Sequence, residues 1–168
     1  MLGTNRCSSG VYTTDIGKTQ NGDDQMSAPD LSKTHPRSPR ETLGGYVIVA
    51  RTLDKCRAKL HGSNGEYHFD CPLDNQFFDF AGITVEDFKS FVATGADDDA
   101  VGKWVEAHGK QSERIEVINW NNKMRGLRIA EMPDPLQEFL EGYIPEFLPA
   151  NKPVYCWFDV YDIEEGRI

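Results

Sequence analysis

No apolar run in the 168-residue chain approaches the roughly 20 residues that a membrane-crossing helix needs. Surplus positive charge is missing too: 18 Lys and Arg stand against 27 Asp and Glu, a formal net charge of -9. That balance argues against a nucleic-acid surface or an anionic-membrane surface, since both are driven by clustered cations. Cysteine is scarce, at four, and no apolar stretch of a secretory signal follows the first Met. Free thiols in a reducing cytoplasm are therefore expected, rather than a disulfide framework.

The motifs that announce common chemistries are also absent. There is no G-x-x-x-x-G-K-[ST] phosphate loop, no dinucleotide G-x-G-x-x-G, no H-E-x-x-H, no G-x-S-x-G and no EF-hand loop. Each of these sets backbone amides, metal ligands or a nucleophile at fixed offsets. Without them no cofactor is expected, and the chain reads more as a binding domain than as an enzyme.

With 39% hydrophobic and 11% aromatic residues, the sequence can build a packed core, but this content is unevenly spread. Residues 1–25 hold a single aromatic, Tyr12, and no apolar periodicity. Such a segment cannot offset its ordering entropy, so a disordered N-terminal extension is expected. Two origins stay open: a flexible tail, or a translation start at Met26, which precedes the turn-forming Ser27-Ala28-Pro29-Asp30. Residues 26–168 then form a single globular domain, with Cys7 outside it.

Helix punctuation predicts a mainly α fold of five to six helices with at most a small two-stranded β element. Ser38-Pro39-Arg40-Glu41 has the form of a capping box with Pro at the first helical position, opening a helix to about Leu60. Thr84 opens a second helix, with Val85, Phe88 and Val92 on one face. The acidic run Asp97 to Asp99 starts a third as a solvated helix start; Val101, Trp104, Val105 and His108 line its face and Gly109 closes it. Another runs from Glu113 to Arg125, apolar on two sides and therefore central. The last begins at Asp134-Pro135 and is broken by Pro145. A further short helix carries Phe77, Phe78 and Phe80 and is closed by Gly82. Glu66 to Phe69 and the β-branched and aromatic run Val154 to Val160 read as extended.

The candidate site lies between Arg51 and Asp74. On the first helix, Tyr46, Val49, Leu53 and Leu60 form an apolar stripe at 100° per residue. Arg57 falls within it and Asp54 at its edge. A core-directed charge needs a partner. Arg57 is therefore read as clamped to Asp54 or Asp74, with an anion-binding arginine at a pocket floor as the alternative. The candidate binding residues are Arg51, Asp54, Arg57, Cys71 and Asp74. Gly44-Gly45, placed inside that helix, implies close approach, of a neighbouring helix as the first reading and of a ligand as the alternative.

Cys56, His61, His68 and Cys71 form a C-x4-H-x6-H-x2-C pattern, but only the second half has the close spacing of zinc ligands. No metal is assigned to it. Cys71 precedes a short helix, a position that activates thiols, and His68 is the one histidine placed to serve it. A thiol- or metal-dependent enzyme using Cys56, His68 and Cys71 is thus the alternative function. In Asn119-Trp120-Asn121-Asn122, Trp120 reads as core, with one or two asparagines satisfied by backbone.

The run Asp30-Leu31, Pro36-Arg37-Ser38-Pro39-Arg40-Glu41, Leu43-Gly44-Gly45-Tyr46, Asp54-Lys55-Cys56-Arg57-Ala58, Asn64-Gly65-Glu66-Tyr67, Cys71-Pro72-Leu73-Asp74 and Trp157-Phe158-Asp159 resembles the bacterial family catalogued as domain of unknown function 5069. The likeness covers the chain from about Asp30 to its end. It implies a small bacterial single-domain protein and supplies no catalytic residues. The leading reading is a cytoplasmic domain that binds a protein or small ligand, with no nucleic acid or membrane partner. A homodimer through Tyr155, Trp157 and Tyr161, aligned on one face of a terminal strand, is a further expectation.

Overall fold

A computed structural model describes residues 28–168, so the expected extension at 1–25 lies outside the described residues. Apolar periodicity and caps explain most of its helices. These are α1 (Val49–His61), α2 (Pro72–Ala81), α3 (Val85–Val92), α4 (Asp98–His108), α5 (Arg114–Gly126), α6 (Asp134–Phe147) and α7 (Trp157–Glu164), with a 3-10 turn at Ile129–Glu131. The architecture is mainly helical, with one helix more than the upper expectation. Among the described residues the only β pairing consists of isolated bridges, Leu43 with Tyr46 and Arg128 with Cys156. No helix among them is long and apolar enough to cross a membrane.

The helix starts read at Thr84 and at the Asp97 run are found, and both are capped by a side chain. Thr84 accepts from the Asp87 amide at 3.1 Å, and Asp97 accepts from the Ala100 amide at 2.7 Å. Gly62 and Gly82 end α1 and α2 in the left-handed conformation. The core joins Phe77, Phe78, Phe88 and Phe158 with Val47, Ile48, Val49, Leu53 and Leu73.

Four expectations are corrected. The capping box at Ser38 is made, with Arg40 N–H on Ser38 Oγ at 3.1 Å and Ser38 N–H on Glu41 at 3.3 Å, yet it closes only a turn. Gly44 and Gly45, with φ of +57° and +82°, reverse the chain instead, and Leu43 and Tyr46 exchange backbone hydrogen bonds. α1 starts only after Ile48, so Tyr46 is not on its stripe. The close approach read from the glycines is real: a Cβ on Gly44 would lie 2.9 Å from the Gly102 carbonyl oxygen of α4.

The second correction is α5, which is not central. Trp120 and Met124 are buried, but Ile115 and Ile118 face solvent. In α6, Pro145 does not end the helix; it forfeits only the bond to the exposed Glu141 carbonyl in the last turn. Finally, Trp157 onward is helix rather than strand, because the Asp159 carboxylate caps its start by accepting from the Tyr155 and Cys156 amides at 2.9 and 3.0 Å. Tyr155, Trp157 and Tyr161 therefore share no strand face: Tyr155 is exposed while Trp157 is buried.

Candidate functional site

Helix α1 buries four charges: the cations Arg51, Lys55 and Arg57 each meet a different carboxylate, and Asp54 meets an arginine from outside the helix. Arg57 does not pair with Asp54 or Asp74. Its Nη1 donates to Asp98 at 2.6 Å and its Nη2 to the Ala96 carbonyl at 2.9 Å. Asp98, expected as part of a solvated helix start, is thus a shared anion, and Arg37 also reaches it at 2.5 Å. Asp54 belongs to Arg37, which grips both carboxylate oxygens at 2.8 and 3.0 Å and adds its own amide at 2.8 Å. Burial opposes the ionised form of Asp98, but the hydrogen bonds from Arg57 and Arg37 outweigh it and hold the carboxyl below its ordinary range.

Arg51 is 2% exposed and forms a fork with the equally buried Glu165 at 2.9 and 2.6 Å. It also donates to the Arg37 carbonyl at 3.1 Å, while its Nε has no protein acceptor. The guanidinium lies 5.5 and 4.7 Å from the Tyr67 and Tyr161 ring centres, within cation–π range. The Tyr67 hydroxyl donates to Glu165 at 3.0 Å and lies 2.7 Å from His35 Nδ1. Burial, followed by the Glu165 charge, pushes the Tyr67 phenol up and keeps it a donor.

One turn along, Lys55 is 3% exposed and lies 2.8 Å from Asp74, whose side chain is wholly buried. Asp74 further accepts from the Thr52 hydroxyl at 2.8 Å and the Asp70 amide at 3.0 Å. Lys55 Nζ also meets the Cys71 sulfur at 3.1 Å. Cys71 is the N-cap residue of α2, and Asp74 reaches back to its amide at 3.4 Å.

These groups floor a cleft of about 950 Å³. One wall is the 31–35 arm and the 65–68 turn; the other is Phe139 and Tyr143 of α6 with Tyr161 of α7. The structure brings Arg51 and Cys71 into the cleft and sets Asp74 behind Lys55. Asp54 and Arg57 lie outside the lining. Lys55, Tyr67, His35 and Glu165 are the residues that reading the sequence missed. Lys55 had a signal, standing four residues from Arg51 and so on the same face of α1. Glu165 had none, being remote in sequence.

The metal pattern does not converge. Cys56 is buried in the core, where burial pushes its thiol up to about 12, while His61 and His68 are exposed. Among the described residues no group of three His, Cys, Asp or Glu could hold a metal ion. The asparagine reading holds for Asn121, which accepts from the Val47 amide at 3.0 Å and donates to the Gly45 carbonyl at 2.7 Å.

No curated protein matches the sequence. The family model described as "Domain of unknown function (DUF5069)" matches residues 33–167, a span that takes in the cleft floor and all of its walls but Leu31 and Ser32, and the chain belongs to that family.

Proposed function

We propose that the cleft binds a small organic anion with a flat apolar body, and that the domain holds this ligand without transforming it. A volume of about 950 Å³ is of the size that small-molecule sites take. The observation that carries the reading is the donor inventory of its floor. Asp74 and Cys71 account for two of the three N–H groups of Lys55, and Arg51 Nε lacks an acceptor. Both cations already have carboxylate partners, so the floor offers directed N–H donors more than net charge. Lys33, His35 and His68 add positive or donor character around it, against Glu66 and Glu164.

The wall supplies the other half of the ligand's chemistry. Phe139 and Tyr143 stack at 5.5 Å, and Phe139 is 59% exposed. An aromatic so exposed at a cleft mouth offers a face to a flat ligand.

The experiment is a thermal-shift comparison of benzoate, phenyl phosphate and uncharged benzyl alcohol. Both anions should raise the melting temperature in a concentration-dependent way, and the alcohol should not. Phe139→Ser, a change at an exposed position, should weaken the effect without lowering the unliganded melting temperature. Equal shifts with all three, or none, would contradict the reading.

A further inference from the structure

The contact between Lys55 and Cys71 has a chemistry of its own that requires no ligand in the cleft. An amine nitrogen and a thiol sulfur stand 3.1 Å apart at the cleft floor. Both are fixed from behind by one carboxylate, Asp74, which is 2.8 Å from Lys55 Nζ and accepts from the Cys71 amide at 3.4 Å. Cys71 is partly exposed and lines the cleft, so a small oxidant reaches it, whereas Lys55 lies beneath, at 3% exposure. Cys71 also caps a helix N-terminus beside an ammonium, the surroundings in which thiols react fastest with oxidants.

From this juxtaposition we propose that Lys55 and Cys71 form a reversible covalent bridge through one oxygen atom, Nζ–O–Sγ, under hydrogen peroxide. A hydrogen-bonded nitrogen and sulfur are already close to the separation that one bridging oxygen spans; a direct S–N bond would require much closer approach. The balance is Lys–NH3+ plus Cys–SH plus two hydrogen peroxide giving Lys–NH–O–S–Cys plus three water plus one proton. Sulfur and nitrogen each give up two electrons, and the two peroxide O–O bonds take up all four. One S–H and two N–H bonds break, and S–O and O–N bonds form. The Asp74 carboxylate is placed to take the ammonium proton as nitrogen becomes nucleophilic. The bridge ties α1 to the start of α2 and removes a cation and a thiol from the cleft floor.

The other described thiols make internal references. Cys56 is sealed in the core, and Cys156 has Arg40 Nη2 at 3.5 Å as its partner rather than a lysine.

The test treats the full-length protein with hydrogen peroxide and maps its proteolytic peptides by mass. The expected product is a peptide pair joined at Lys55 and Cys71, with one oxygen gained and two hydrogens lost, and dithiothreitol should return the separate peptides. Cys71→Ser should abolish it. Lys55→Arg should instead leave a Cys71 sulfenic acid that dimedone traps. Should the arginine variant not fold, the wild-type map still decides. Cys71 oxidised to sulfinic or sulfonic acid beside an unlinked Lys55 would overturn the proposal. So would a link without the oxygen, or an unreacted Cys71. None of these outcomes depends on whether benzoate binds.

Discussion

Arg51 and Arg57 both point inward from α1, but their carboxylates set what each contributes. Glu165 is 2% exposed and without Arg51 would lose its two-pronged partner, keeping only the more exposed Arg167 and the Tyr67 hydroxyl, so Arg51→Met should cost about 3–5 kcal/mol in a urea titration. Asp98 is 42% exposed and keeps Arg37, so Arg57→Met should cost less, about 1–2 kcal/mol. A larger loss for Arg57 would reverse this ranking. The carboxylates also fix the acid response. At Glu165 burial favours the neutral acid, but the Arg51 and Arg167 contacts outweigh it and lower the folded pKa; Asp98 and Asp159 are lowered likewise. A carboxyl lowered on folding contributes stability that is fully present above its unfolded value and lost as pH falls through the folded one. The urea midpoint should therefore hold from about pH 7 to about pH 5 and fall progressively below that, where unfolded carboxyls begin to protonate while the folded ones stay ionised. Glu165→Gln should flatten that fall, and an unchanged slope would show that Glu165 does not drive it.

At the scale of elements, the turn before α1 carries the clearest test. Gly45 has φ +82° with open space around it, while Gly44 has φ +57° and the Gly102 backbone against it. Gly45→Ala should cost about 1–2 kcal/mol, from backbone strain alone. Gly44→Ala should cost about 1–3 kcal/mol more, because its Cβ overpacks the contact with α4. Equal costs would mean the close approach is slack. The same turn shows why some elements were legible and others not. The starts of α3 and α4 were, because Thr84 and Asp97 cap them through bonds spanning only three residues. The start of α1 was not: the Ser38–Glu41 box forms locally, yet Ile48 takes a φ of +73°, a conformation no β-branched residue adopts by preference. Its burial in the core, its N–H bond to the Pro39 carbonyl at 2.9 Å and the Thr52 amide bond to its own carbonyl at 2.9 Å hold it there. In α7, strand propensity lost to the Asp159 cap, a signal present in the sequence but masked by the aromatic run.

Across the whole molecule, both ends of the described chain are tied together by charge. Arg40, in the turn at Ser38–Glu41, pairs with Asp159 at 2.6 Å and with Asp162, while Arg167 returns to Glu165 and to the Pro36 carbonyl. Of the charges on α1, Arg57 and Asp54 could be read from sequence as core-directed, since the helical period places them in or beside the apolar stripe, whereas Arg51 and Lys55 fall on the other side of the helix. Their partners could not, because Arg51 finds Glu165 across most of the fold and no local pattern links the two. The cleft likewise exists only once α6 and α7 have packed beside α1, so the aromatic wall was invisible beforehand. That cleft, and the donors on its floor, are where an organic anion should seat. The most direct test is amide chemical-shift mapping of the full-length protein titrated with benzoate. Saturable shifts should centre on His35, Tyr67, His68, Cys71 and Tyr143, with the Trp104 and Ile115 regions unmoved. Shifts scattered over the surface without saturation, or none at all in a folded protein, would contradict it.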